Sequence, residues 1–479
     1  MDHTTEGGAV ELRRDFTLRS AFSLAFAFIS PIIALYAIFG LGVLTAGATF
    51  WWAFPVVLAG QLLVALTLGE LSSRWPEEGG LFQWGRRMLG RAYGWATGWA
   101  YVWTLIALIV ATVYAASAFL ATLIGIDEPS TGVRLLLALG FLALATYCNT
   151  MGARPLKIFV IASIACEVIG SVVIGTILLA FHRENSLADV MSGFTDGGAD
   201  FAFGPFLAAV AIVGWAFIGF EAAADIAEEV EEPEKNVPKA LIWSLVLVAS
   251  IVMYAGLALI LAIPDLPAVI AGDVADPIAA TLSGELGSWI VRPMMFIVCT
   301  GFLAGTVAVS ASVSRVVFAM ARERELPASG FLTRLSTKEA MPVNAILATS
   351  GIAAVLLVVA VLVKFYDTLI GLATGGFYIS FAMPVLALLV TRARGAWTPG
   401  AWSMKSGVSL TVNVLAAAWL LFEVTNIAWP RDIGLDWYVE WGVLIMLGLI
   451  AVLGAITYRG VFKREPAEAP ATAAESVVA

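Results

Sequence analysis

Apolar residues fall along this chain in twelve long blocks, near 21–45, 51–73, 94–125, 133–151, 155–181, 205–228, 238–263, 288–323, 343–363, 367–391, 406–428 and 438–459. A helix crosses a bilayer with roughly 20 predominantly apolar residues. The pattern therefore predicts an all-α polytopic membrane protein with twelve transmembrane helices. Two blocks carry interruptions. In the first, Ser30-Pro31 sits at the centre of an apolar run. Pro31 removes a backbone donor and crowds the carbonyl four residues back, so the helix must kink or break there; proline is also suited to start a second half-helix. In the sixth, Gly214 and Gly219 flank Trp215, Ala216, Phe217 and Ile218. Lipid offers no partners to free N–H and C=O groups, so irregular backbone at this depth survives only against protein or a water-filled cavity. Paired interruptions five spans apart, entered from opposite sides, point to the binding site of an inverted-repeat secondary transporter.

Composition agrees with the pattern: 60% of residues are hydrophobic, 13% charged, and mean hydropathy is +0.91, where a soluble domain carries about a quarter charged residues. An even number of spans puts both tails on one side. Of the 27 Lys and Arg, five (Arg134, Arg183, Arg292, Lys364 and Arg431) then fall opposite the tails, and 27 less five leaves 22 beside them. Such an excess marks the cytoplasmic side, so both termini are expected in the cytoplasm of a multi-pass cell-membrane protein. The net charge of −9 does not alter this, and no basic patch outside these loops suggests nucleic acid. Residues 1–19 form a polar tail that does not read as a cleavable secretory signal, and 460–479 an Ala/Pro/Glu-rich tail expected to be disordered. Cys148, Cys166 and Cys299 lie in spans and are expected as buried small hydrophobes without a disulfide. The connection over 264–287, with four acids and no base, reads either as a solvated link or as a cap over an outward vestibule.

Three strings carry a resemblance. Gly69-Glu70-Leu71-Ser72-Ser73-Arg74-Trp75-Pro76, continuing through Gly79-Gly80 to Trp84, is similar to the second-to-third-span signature of the amino acid–polyamine–organocation superfamily. Phe217-Ile218-Gly219-Phe220-Glu221, with Glu228-Glu229 and Val237-Pro238-Lys239-Ala240, resembles its sixth span, and Ser314-Arg315 through Arg322 with Leu326-Pro327 the end of its eighth. The resemblance implies the leucine-transporter fold: a first five-helix repeat over 20–181, an inverted second over 204–391, and two further helices over 405–459. It also implies a solute held between the two breaks, which on this chain are Ile29, Ser30, Pro31, Ile32 and Ala34 in one and Trp215 to Gly219 in the other. Trp215 matches an aromatic residue that packs on solute in related antiporters, and an indole face attracts an ammonium by roughly 0.5–2 kcal/mol. Many relatives place glycines in the first break, so that bare N–H groups reach a substrate carboxylate. Here the break reads Ile-Ser-Pro-Ile-Ile-Ala, and the span has no glycine before Gly40, so amines stay open beside amino acids.

Charges inside the membrane are few. Glu167 stands mid-span with no charged neighbour nearer in sequence than Lys157 or His182. A carboxylate at that depth must be paired, neutral or hydrated, and one poised between burial and a cation can take up and release a proton. By the resemblance it occupies the place of a fifth-span lysine in proton-coupled relatives, beside spans one and eight. An acid in that place needs another mechanism, as proton carrier or as counter-charge to a cationic solute, unless it is a permanently protonated acid bonded to a neighbouring carbonyl; the proton is the expected coupling ion. Ser310 and Ser312, aligned with eighth-span hydroxyls that bind sodium in some proteins of the fold, leave sodium as the alternative, with Glu167 as an added ligand; small residues that ease helix packing are the other reading. Glu221 and Asp225 suit a gate, and Glu228 and Glu229 are expected to pair with Arg or Lys from neighbouring loops. Glu423 is expected at an interface or lipid-shielded contact.

The reading is a secondary transporter importing an amino acid or small organic amine, as monomer or homodimer, with no cofactor beyond its coupling ion. Exchange, sodium symport and a non-transporting membrane sensor are the alternatives. No HExxH, GxSxG, P-loop or clustered metal ligands occur, so neither an enzyme nor an ATP-driven pump is supported.

Overall fold

The computed structural model describes residues 16–126, 128–191, 204–274, 276–336, 341–363, 366–430 and 437–462, and the side-chain packing of all of these except 153–159, 366–368 and 438–439. Residues 1–15 and 463–479, most of both expected tails and including Arg13, Arg14, Lys463 and Arg464, lie outside the described residues, as do Lys338, Lys364, Arg431 and residues 192–203. Twelve described helices are long and apolar enough to cross a membrane: Leu18–Tyr36, Phe39–Arg74, Arg91–Leu123, Thr131–Thr150, Val160–Phe181, Pro205–Asp225, Pro233–Ala262, Ser288–Arg322, Val343–Leu362, Leu369–Ala393, Ser406–Ala428 and Gly442–Phe462. These are spans 1 to 12 below. The other described pairing of extended backbone is a single bridge between Phe16 and Val230.

Spans 3 and 8 form the axis, buried over 83% of the apolar window in span 8 and 78% in span 3, while span 12 is buried over 11% and lies at the rim. Span 8 packs along span 3 and also touches spans 1 and 5, and span 1 lies between spans 5, 7 and 8. Helix starts follow local chemistry. The Thr17 hydroxyl accepts from Ser20 N–H at the head of span 1, and Ser130 accepts from Val133 N–H at the head of span 4, each satisfying a donor the helix leaves free. Span 5 contains a wider turn at Ile169–Val173 that its sequence does not announce.

Glu70 of the first signature string is structural. Its carboxylate accepts from Met404 N–H at 3.1 Å, Ser409 Oγ at 2.7 Å and Arg392 Nη2 at 3.2 Å, tying span 2 to spans 10 and 11. The connection between spans 7 and 8 folds into two short helices, Leu266–Ala271 and Pro277–Leu286, capped by Asp265 and Asp276. Both pack on Phe39–Ala46, so this segment is a folded cover rather than a loose link.

One expectation needs correction: the first block does not run to residue 45, because its second half-helix ends at Tyr36 and a new helix starts at Phe39 after Ala37 and Ile38. Glu423 is shielded from lipid: it is fully buried, within reach of Asn426 Nδ2 at 3.4 Å, because span 11 turns this face onto spans 2 and 10. Cys299 is buried, whereas Cys148 and Cys166 are half-buried; all three are free thiols.

Candidate functional site

The first break is one residue wide. Helix Leu18–Ile29 stops and Pro31–Tyr36 starts, with Ser30 between them at φ 46° and ψ 113°. A side chain in that left-handed region costs about 1–2 kcal/mol, and such strain persists where surrounding contacts over-determine it. Those contacts are hydrogen bonds. The Ser30 hydroxyl donates to Glu167 Oε2 at 2.7 Å, while its oxygen accepts from Ile33 N–H at 3.2 Å. Glu167 Oε1 accepts from Ser163 Oγ at 2.7 Å, and Ile32 N–H lies close to the same carboxyl group without a hydrogen bond of good geometry among the described residues. Gly301 of span 8 leaves room for this cluster: a Cβ there would lie 3.5 Å from Glu167 Oε1, from Ser30 Oγ and from Ile32 Cβ. Glu167 thus ties spans 1 and 5 together against span 8, fully buried.

Span 6 breaks over more residues. Pro205–Val213 is α-helical, Gly214–Phe217 tightens to a 3₁₀ turn, and Ile218 is extended at φ −105° and ψ 157°. Gly219 follows at φ +99°, and a Cβ on it would come within 2.0 Å of the Phe28 ring. Only glycine fits, for both reasons. Below the break, Gly219 N–H donates to Glu221 Oε2 at 3.1 Å. The Tyr101 hydroxyl of span 3 lies 2.8 Å from Glu221 Oε1 and 2.8 Å from Asp225 Oδ2. A phenol has one proton to give, so a second proton belonging to one of the acids completes the bridge.

Between the breaks lies a small cavity of about 10 Å³, lined by Phe28, Ile29 and Ile33 of span 1, Leu108 and Thr112 of span 3, Trp215 and Ile218 of span 6, and Gly305 and Val309 of span 8. That is room for roughly one water, so the pocket is nearly shut in this conformation. Of the residues expected to bind solute, Ile29, Trp215 and Ile218 line it. Ser30 and Ile32 turn instead towards Glu167. Pro31 starts the second half-helix, and Ala34 N–H is spent on Ser30 O at 2.8 Å. Ala216 and Phe217 are core, Phe217 packing on the Phe54 ring at 6.0 Å.

Ser310 and Ser312 do not join Glu167. Span 8 meets that carboxyl at Gly301, and Ser310 comes nine residues later, roughly 13 Å further along a helix rising about 1.5 Å per residue. Ser312 lies beside Asp225 instead. Neither hydroxyl makes a hydrogen bond of good geometry. Tyr101, Ser163, Leu108, Thr112, Phe28 and Gly305 were not anticipated. A mid-span threonine is a faint signal in sequence, and the others look like ordinary apolar or small helix positions.

Towards the side of the termini the site is closed by ion pairs. Arg322 donates twice to Glu228, at 2.6 and 2.7 Å, and buried Arg315 Nε donates to Glu229 Oε1 at 3.0 Å. Both arginines belong to span 8 itself rather than to a loop. Glu78 N–H donates to Glu228 Oε1 at 3.0 Å, and Gly79 N–H to Asp225 O at 3.3 Å, so the signature loop docks on the end of span 6. Burial, with Glu229 and Glu228 nearby, pushes the Glu78 carboxyl well above the usual range, against the pull of Arg315. Phe16, 1% exposed, completes the closure: its N–H donates to Glu229 O and its carbonyl accepts from Glu231 N–H.

Comparison with known proteins places this arrangement. Residues 19–456 match the amino acid permease family. The chain is similar to an uncharacterized amino-acid permease of Schizosaccharomyces pombe, 25% identical over 94% of this chain and 83% of that one. It is also 25% identical to a GABA-specific permease of Saccharomyces cerevisiae, over 88% and 77% of the two chains, and 24% identical to a putative polyamine transporter of Candida albicans, over 92% and 83%.

Proposed function

The chain belongs to the amino acid permease family, whose members are transporters and not enzymes, and from that premise we propose that it imports an amino acid or small organic amine across the cell membrane, coupled to protons. Both termini face the cytoplasm in this reading, with the excess of Lys and Arg. The observation that carries it is the meeting of two broken helices across one cavity, with a buried carboxyl bonded to the first break.

Transport follows from alternating access around that cavity. Opening towards the cytoplasm requires the Arg322–Glu228 and Arg315–Glu229 pairs to part and the Tyr101 bridge between Glu221 and Asp225 to release. Glu167 supplies the coupling. Its carboxyl is held by the Ser30 and Ser163 hydroxyls, with Ile32 N–H close by, while span 1 is docked on span 5. Each bond to a charged group is worth about 1.5–3 kcal/mol. Moving the first break away removes the Ser30 donor and the nearby Ile32 N–H, so proton occupancy of Glu167 and the position of span 1 are linked, and each biases the other. Solute enters through Trp215, whose indole faces the same cavity.

Purified full-length protein in proteoliposomes tests this. An imposed inward proton gradient drives concentrative, uncoupler-sensitive uptake without sodium, and Glu167→Gln abolishes accumulation while leaving solute binding. Unchanged pH-driven accumulation by Glu167→Gln removes the coupling role. Absence of uptake for every amino acid and amine tried, with or without a gradient, removes the transport reading.

A further inference from the structure

Resting on the reading of this cavity as a solute site, we infer that it selects organic amines over the corresponding α-amino acids, because its break presents hydrogen-bond acceptors while its donors are held by the protein itself. The donors of the first break can be followed one by one. Pro31 has none. Ile32 N–H and the Ser30 hydroxyl face Glu167. Ile33 N–H bonds Ser30 Oγ at 3.2 Å, Ala34 N–H bonds Ser30 O at 2.8 Å, and Ser30 N–H bonds Phe26 O at 2.8 Å. At the second break, Gly219 N–H is taken by Glu221. Glu167 therefore stands where an incoming carboxylate would look for its partners: the fifth span carries its own acid to those groups.

The acceptors are in the opposite condition. In an uninterrupted helix the carbonyls of Ala27, Phe28 and Ile29 would receive the N–H groups of residues 31, 32 and 33. The first of those donors does not exist, and the other two are turned to Glu167 and Ser30. These carbonyls also form the negative end of the twelve-residue helix Leu18–Ile29, an end that favours cations. Span 8 is cut back to bare backbone beside them. A Cβ on Gly305, a cavity-lining residue, would stand 3.2 Å from Ala27 O.

Charge gives a second, independent argument. Among the described residues, no lysine, arginine or histidine lines the cavity, and a carboxylate buried without a counter-charge or full hydrogen bonding is strongly disfavoured. An ammonium in this cavity meets the carbonyl dipoles of the first break and Trp215, which lines it. The aliphatic walls from Ile29, Ile33, Leu108 and Val309 suit a short alkyl chain.

The test compares matched pairs on purified full-length protein in nanodiscs, read by intrinsic tryptophan fluorescence and by thermal shift. The probes are ethanolamine against serine, putrescine against ornithine, and phenethylamine against phenylalanine. The amine is expected to bind about tenfold or more tightly in at least one pair, with no pair reversed. Glu167→Ala, which frees Ile32 N–H and the Ser30 hydroxyl, narrows that ratio towards the amino acid. An amino acid binding as tightly as its decarboxylated partner, or more tightly, overturns the selectivity, and so does binding of neither kind of probe. Should Glu167→Ala fail to fold, the wild-type pairs decide alone. Amine preference in nanodiscs without uptake in proteoliposomes leaves the selectivity standing and removes transport; uptake with amino acids preferred does the reverse.

Discussion

Gly219→Ala isolates the geometry of the break more directly than any charged residue. The methyl group would sit 2.0 Å from one carbon of the Phe28 ring and 2.5 Å from the next, on a backbone at φ +99°. Placing an L side chain in that region costs about 1–2 kcal/mol, and forcing a methyl into a packed contact adds about 1–3 kcal/mol. The total is roughly 2–5 kcal/mol, or about thirtyfold to several thousandfold in an equilibrium constant. Phe28 has little room to give way. Its ring stands edge-on to Phe377 at 6.2 Å, and the cavity on its free side offers only about 10 Å³. The variant should therefore melt at lower temperature in detergent and lose solute uptake. Phe28→Leu in the same chain should return the steric part and leave the backbone part, giving a double-mutant coupling of about 1–3 kcal/mol. Gly219→Ala with wild-type melting and uptake, or with no coupling to Phe28→Leu, would refute the placement of spans 1 and 6 against each other.

Other outcomes follow from the same geometry. Tyr101→Phe removes the hydroxyl bridging two buried acids and should lower stability by about 1–3 kcal/mol, partly recovered by Asp225→Asn; a melting curve identical to wild type would show the bridge to be idle. Arg315→Met strands buried Glu229 and should destabilise by about 3–5 kcal/mol, whereas the double change with Glu229→Leu should recover most of it, read by thermal unfolding of purified protein. Because the Glu78 carboxyl is pushed up from its ordinary value of 4.5, its contribution to stability is complete below that value and is lost as pH rises through the higher one. Wild-type thermal stability should decline with rising pH over that window and Glu78→Gln should flatten the decline; parallel pH profiles would contradict it.

Parts of this protein were legible because a membrane forces local solutions. Each apolar block had to satisfy its own backbone, so the number and rough extent of the spans follow from length and composition. Pro31 and Gly219 act on their own backbone, and both breaks lie where those residues put them. Glu167 stands out because no charged residue lies nearer to it in sequence than Lys157. The side-chain partnerships were not legible, and the reason is rotational phase. A helix surrounded by lipid and apolar neighbours is apolar on every face, so its pattern does not say which side meets which helix. Nothing in span 3 marks Tyr101 as the residue that would reach Glu221 and Asp225, 120 and 124 positions away. Ser312 lies beside Asp225, and Glu167 meets span 8 at Gly301, because the register between spans 1, 5 and 8 is set by packing of small residues. Composition and pattern alone give a twelve-span chain with two interruptions and an isolated acid, Glu167, in the fifth span. Only the tertiary structure decided that the acid closes over the donors of the first interruption, since that contact needs Ser30 turned towards span 5 across 137 residues of chain.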